Sequence, residues 1–424
     1  MRKKVVVVGA GLAGLNCARE LSQHDIEVIV LEASDGIGGR VRTDSVEGFT
    51  VDRGFQVFQT AYPEAQAALD YDKLDLASLQ PGALVRSEGR WHRMADPIRC
   101  PQHLFGTLFN GVGNLTDRIR LLTLRWRVMR EQVATQLARP NDTSTAEYLA
   151  KDCGFSDSFI QKFMRPWVSG MFLEPDLATS AGYFEFVFKM LSTAEIAYPV
   201  GGMQSIPMQL AEQIDGEVRT GTRVQSVDAN GVVLDHGDRL EAGAVVVSAD
   251  LEAASQLGGQ VKPRPLNGTL CQYFVSDSAP NEKTLMLNGD GPSAGPINHV
   301  FIPTNTVPSL APKGKSLISV SVVGCSEEPR ALDAPIRQQL VDWFGADAGQ
   351  WRRLTEYVIP DALPEQKPGF YGKKSPLRDE RGIYYCGDHM ETSSIQGAMK
   401  SGRLAAEAVV AAIQEDPEPS LRTA

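Results

Sequence analysis

Two largely apolar runs open the chain. Lys4–Val8 carries four consecutive valines, which suits a strand buried on both faces. Residues 15–23 then read as a helix, and residues 26–31 as a second buried strand ending at Glu32. Residues 217–219, 223–228, 231–234 and 244–248 read as short strands of one small sheet. Residues 183–191 are strongly apolar; as a helix they place Glu185 and Lys189 four apart on a narrow polar face. Residues 116–129 predict a helix capped by Thr116 or Asp117. Leu115, Ile119, Leu122, Trp126 and Met129 form its apolar stripe, and Arg118, Arg120, Arg125 and Arg127 make the remainder basic. Near the end, residues 383–386 read as a strand, Gly387-Asp388 as a turn, and Ser393 or Ser394 as an N-cap. Gly397, Ala398, Ser401, Gly402, Ala405 and Ala406 then leave one thin helix face, which lets a backbone approach something closely.

The length of 424 residues predicts two to three domains, or two large interleaved ones. A net charge of −10 argues against a nucleic-acid partner. The six cysteines are scattered without a C-x-x-C pair, so neither a disulfide framework nor a zinc site is expected, and a reducing compartment fits. No metal-ligand spacing and no nucleophile elbow appears. The first residues have the look of a signal peptide, but glycines with a better use interrupt the apolar stretch. With no apolar run long enough to span a bilayer, the expectation is a cytoplasmic protein, with peripheral membrane contact through 116–129 as an added possibility.

Chemistry concentrates in Gly9-Ala10-Gly11-Leu12-Ala13-Gly14, between the first strand and the first helix. Gly9 permits a tight turn, and Gly11 lets a pyrophosphate reach the backbone N–H groups at the helix start. Gly14 allows close helix–strand packing, and Glu32 can bind a ribose diol. Strand, glycines, helix and acid together make a dinucleotide fingerprint. The next residues, Glu32-Ala33 through Gly38-Gly39-Arg40, add a second glycine turn with a cation. A nicotinamide unit has no need of it; a longer cofactor does, which points to FAD. Gly111-Val112-Gly113 mimics such a turn, but no strand precedes it.

Both blocks, VVVVGAGLAGL…VIVLEASDGIGGRVRT and GDHMETSSIQGAMKSGRLAAEAV, resemble the flavin-containing amine oxidase superfamily. RPWVSGMF at 165–172 and YPVGGM at 198–203 look like its protoporphyrinogen oxidase and phytoene desaturase branch. The resemblance implies an α/β fold with an inserted α+β part. A discontinuous Rossmann-like FAD domain would span 1–80, 200–260 and 371–424, with a substrate domain at 81–199 and 261–370. It implies non-covalent FAD contacted by Gly9, Gly11, Leu12, Ala13, Gly14, Glu32, Ala33, Gly38, Gly39 and Arg40. Gly54, Phe55 and Gln56, after Asp52, would run under the flavin toward substrate. The Val224 backbone would face adenine. Gly387 and Asp388 would meet the cofactor's polar middle, and Ser394, Ile395, Gly397 and Ala398 would meet the ring.

The activity so implied is removal of a hydride from a C–H bond of an organic substrate. An apolar desaturase-like or protoporphyrinogen-like substrate is favoured, with an amine as the alternative. A non-redox flavin isomerase, and a lipid-carrying protein of the Rab GDP-dissociation-inhibitor type, are further alternatives; the intact flavin motifs argue against the latter. The lysine that amine-oxidising members place near flavin N5 has no clear match: Lys313 and Lys315 flank a turn, and Lys283 lies in a polar loop. Gln56 and His389 are the catalytic candidates, with His389 also readable as a residue behind the site or facing solvent. Cys386 reads as structural. The terminal acceptor would be oxygen, a quinone or a redox partner. The 183–191 helix reads as domain core, with an aromatic substrate wall as the alternative. The 116–129 helix reads as packed on its own domain with solvated arginines, with membrane contact as the alternative.

Overall fold

The computed structural model describes residues 4–96, 99–100, 110–258, 261–324, 329–371 and 376–415. Val5 to Val8 lie at the centre of a five-stranded parallel sheet. Its order is Gly216–Arg219, Glu27–Leu31, Lys4–Val8, Ala244–Val247, Tyr384–Tyr385. The valines are buried because strands flank them and hydrophobic layers cover both faces. The sheet therefore joins three stretches of chain that are far apart in sequence. An antiparallel sheet of Val224–Asp228, Gly231–Leu234 and Arg239–Glu241 packs Val232 and Leu234 against Val6, Val8 and Ile29. The four strands read as one small sheet are thus divided. Residues 216–219 and 244–247 join the parallel sheet because they pair with Glu27–Leu31 and Lys4–Val8.

A seven-stranded sheet follows the order Arg352–Pro364, Leu266–Ser276, Ser316–Val323, His299–Phe301, Leu285–Asn288, Ala83–Ser87, Arg90–Met94. All its strands come from 81–199 and 261–370. Asp52, at the end of the strand Phe49–Asp52, accepts hydrogen bonds from Thr43, from the Tyr198 hydroxyl and from the Met203 N–H.

The thin face of the last helix, Ile395–Glu415, packs on the first helix, Leu12–Ser22. A Cβ on Gly402 would lie 2.2 Å from the Ala13 carbonyl oxygen. Asn16 bridges the same seam by donating to the Met399 carbonyl at 2.7 Å. The small residues therefore serve mainly helix–helix contact. Even at Gly397 an added Cβ would meet the Thr392 backbone, not open space. Cys17 and Cys386 are buried in this core, in keeping with a structural Cys386.

Two helices depart from expectation. Ala181–Thr193 is core, but Glu185 is fully buried and does not pair with Lys189. Its carboxylate faces Arg139, Arg127 and the Tyr148 hydroxyl, while Lys189 donates to the Glu131 carbonyl. Leu115–Arg130 is capped two or three residues earlier than expected, by an Asn114–Asp117 capping box. Its apolar stripe faces outward. Asp117, Arg118, Leu124 and Val128 are the buried residues. The arginines anchor the helix inward: Arg118 donates to Asn110 at 2.7 Å, Arg125 pairs with Asp96, and Arg127 lies 3.4 Å from Glu185.

Gly402→Val should cost about 3 kcal/mol or more, since a backbone oxygen cannot yield cheaply. Thermal unfolding should show a clearly lower midpoint; an unchanged midpoint would contradict the backbone contact. Burial pushes the Asp52 carboxyl up to about 6, against its hydrogen bonds. Its stabilising contribution is thus complete below the unfolded value of 3.8 and is lost as pH rises through about 6. From about pH 4 to about pH 7 the wild type should lose on the order of 3 kcal/mol relative to Asp52→Asn in denaturant titrations. A pH-independent difference would refute this.

Candidate functional site

The first two glycine turns are sewn together. Gly9 has φ +108°, which a side chain would strain, and a Cβ there would lie 2.7 Å from the Ser248 carbonyl oxygen. Ala10 donates its N–H to Glu32 Oε2 at 2.8 Å, and Ser34 donates to Oε1 at 2.8 Å, so the carboxylate is aimed at the helix start. Gly38 donates to the Ala10 carbonyl at 2.8 Å, and Gly11 and Gly38 form a parallel bridge. Gly39 stands beside them, and Ala33 is exposed next to Glu32.

Gly11 caps the first helix without any side-chain cap, leaving the N–H groups of the first turn, at Leu12 and Ala13, to an external partner. A Cβ on Gly11 would meet nothing within 4 Å, whereas one on Gly14 would lie 2.0 Å from the Gly9 oxygen. Gly14 is thus a packing glycine, and Gly11 opens on space. An uncapped helix start, an open approach and an aimed carboxylate fit a dinucleotide.

Arg40 joins this end to the far one. Its Nη2 lies 2.7 Å from Asp388 Oδ1, and its Nη1 donates to the Ala362 carbonyl at 2.7 Å. Asp388 is buried while Arg40 is exposed, so the pair sits at the edge of a cleft lined also by Asp250, Leu266 and Pro364. Gly387 donates to Ser401 Oγ at 3.0 Å, which ties the turn to the last helix. Ser394 Oγ accepts the Gly397 N–H at 3.1 Å and caps that helix. Ser394, Ile395 and Ala398 are half-buried, unlike the buried Gln396 and Gly397. The Tyr183 hydroxyl donates to the Ser393 carbonyl at 2.7 Å, so the aromatic helix does abut the site. Val224 starts its strand opposite Leu234, half-buried.

The two catalytic candidates are held differently. Gln56 donates Nε2 to the carbonyls of Arg40, at 2.9 Å, and Arg53, at 3.2 Å, so it holds the second glycine turn in place. His389 is buried rather than facing solvent, and a Cβ on Gly387 would strike its ring. Burial pushes its imidazole down to about 4, leaving it neutral with Nε2 unpartnered. Gly54, at φ +90°, accepts from the Tyr273 hydroxyl at 3.2 Å. Phe55 meets His299 edge-on at 4.7 Å and Phe301 at 5.5 Å. His299 carried no sequence signal, being a single histidine in a strand. It is buried, held neutral with its pKa pushed down to about 4, and has Nε2 unpartnered. Tyr62 and Tyr371 join Tyr183 in one aromatic cluster that only the tertiary fold assembles. Among the described residues no His, Cys, Asp or Glu cluster could hold a metal, and no helix is long and apolar enough to cross a membrane.

The family profile of flavin containing amine oxidoreductase matches residues 12–410. A phytoene dehydrogenase from Streptomyces griseus is 27% identical over 360 residues, covering 74% of this chain and 71% of that protein. Protoporphyrinogen oxidase 2 of Arabidopsis thaliana is 25% identical over 170 residues, 40% of this chain and 32% of that protein. A putrescine oxidase bound to putrescine shares the fold at TM-score 0.71 and 17% identity, over 97% of this chain and 99% of that one. The chain belongs to the flavin containing amine oxidoreductase family, and it is an FAD-dependent oxidoreductase.

Proposed function

We propose that this oxidoreductase takes a hydride from a C–H bond of an apolar substrate, in the manner of a desaturase or protoporphyrinogen oxidase. One observation carries the reading. Phe55 is surrounded by uncharged groups, namely Phe301, the neutral His299 and the Tyr273 that holds Gly54. The lysine candidates are elsewhere: Lys315 pairs with Asp277 at 2.6 Å, and Lys283 and Lys313 are exposed. An apolar wall favours a substrate whose reactive carbon needs positioning rather than proton transfer.

FAD supplies the two-electron acceptor. In this reading Gly9, Gly11, Leu12, Ala13 and Gly14 hold the pyrophosphate by backbone, and Glu32 and Ala33 meet the ribose. Gly38 and Gly39 would bring backbone to the second phosphate, and Arg40 would neutralise its charge. Val224 would lie against adenine, and Asp388 would accept from the ribityl chain beside Gly387. Gly54 and Phe55 orient substrate under the ring. The helix start at Ser394 and Ile395, with Ala398, favours negative charge at the ring's pyrimidine edge. Residues 1–80, 200–260 and 371–424 would form the cofactor domain, and 81–199 with 261–370 the substrate domain. The five-stranded and seven-stranded sheets support that division, while Ile196–Pro199 crosses it by pairing with Phe58–Gln59 and Leu76–Ser78.

Gly11→Val separates binding from folding. A Cβ at this position meets no protein atom within 4 Å, so the thermal midpoint of the flavin-free protein should hold while bound flavin absorbance falls at least about tenfold. Full flavin occupancy would refute the pyrophosphate assignment. The substrate class is tested by anaerobic mixing of the oxidised holoenzyme with a long apolar polyene, a porphyrinogen or primary amines. Bleaching of the flavin by the polyene or porphyrinogen is expected. Faster bleaching by an amine would overturn the apolar reading.

A further inference from the structure

Seven large hydrophobic side chains stand exposed among the described residues, and five of them lie on one helix. Leu115, Ile119, Leu122, Trp126 and Met129 are 40 to 61% exposed and follow the i, i+4, i+7 spacing of a single face. The face is continuous from end to end of Leu115–Arg130. A helix in a globular protein normally turns such a stripe inward. Here the opposite face is held by Leu124, Val128 and the Asp117 carboxylate, and the arginine pairs with Asp96 and Glu185 fasten its flanks. The stripe is thus held outward by buried polar contacts.

We propose that this face docks on an anionic lipid bilayer. The proposal concerns where the enzyme works and does not rest on the substrate reading. Two observations select a bilayer over a protein partner. The first is charge. Arg118, Arg125 and Arg127 are turned inward, which leaves Arg120 and Arg130 beside the stripe, and the helix's one acid, Asp117, is buried, in a chain of net charge −10. Arg130 lies 4.5 Å over the Trp126 ring, which puts a cation beside the indole on the exposed face, the pairing suited to the headgroup level. Arg120 flanks the stripe half-buried. No carboxylate of the helix opposes phosphate there. The second is area. Five side chains of this exposure open on the order of 500 Å², whereas a stable protein interface buries about 800 Å² per partner. A narrow apolar ridge with basic flanks suits shallow insertion along the membrane plane.

The test uses flavin-loaded protein sedimented with vesicles of phosphatidylcholine and phosphatidylglycerol in equal parts, and with phosphatidylcholine alone. Wild type should pellet with the mixed vesicles and much less with phosphatidylcholine. Ile119→Ser/Trp126→Ser should weaken pelleting about tenfold or more while keeping its flavin spectrum and melting midpoint, since both side chains are exposed. Arg130→Gln should weaken binding to the mixed vesicles more than to phosphatidylcholine. Wild-type protein that stays in the supernatant with both vesicles, or a double variant that pellets as well as wild type, overturns the proposal. So does a wild-type dimer that the double variant converts to monomer without any vesicle binding, which would make the stripe a self-association surface.

Discussion

The site depends on two helices that touch backbone to backbone. At Gly402 the last helix comes within a missing Cβ of the Ala13 carbonyl, and Asn16 seals the seam onto Met399. That contact brings the two ends of the chain together. The first helix carries the uncapped start at Gly11, and the last carries Ser394 and Ile395. Fixing one against the other fixes the span between them, the dimension a two-part cofactor must match. Gly14 enforces the same economy lower down, where the helix meets the Gly9 turn.

A second tier of contacts keeps the span polar along its length. Gly38 is bonded to Ala10, Gln56 holds the backbone of Arg40, and Arg40 reaches Asp388. Each link uses a backbone group or a charge that would be costly to leave unmade when buried. Beyond Phe55 the character changes. The neighbours are aromatic or held neutral by burial, as with His299. A polar trough thus gives way to an apolar wall at Phe55.

Much of the polar trough was legible in the sequence. Gly9 and Gly14 follow from backbone demands that no other residue meets, Gly11 from its place in the glycine pattern, and Glu32 from its place after a strand. Asp388 was readable through its motif, because a short turn before a helix fixes where the side chain points. What was not legible is orientation. Periodicity found the stripe from Leu115 to Met129 but could not say that Asp117 and the arginines would turn it outward. It found the thin face of the last helix but not that a helix, more than a ring, fills it. Glu185 and Lys189 sat at pairing distance in sequence, yet tertiary arginines claimed the carboxylate. His299, Tyr62 and Tyr371 come from separate elements, and no local pattern marks them.

The central claim is that both chain ends hold one FAD. Hydrogen–deuterium exchange on flavin-loaded and flavin-stripped protein tests it most directly. The account predicts that FAD slows exchange together at residues 9–14, 38–40 and 387–398. Protection confined to the N-terminal glycine turns, with 387–398 unchanged, would contradict it.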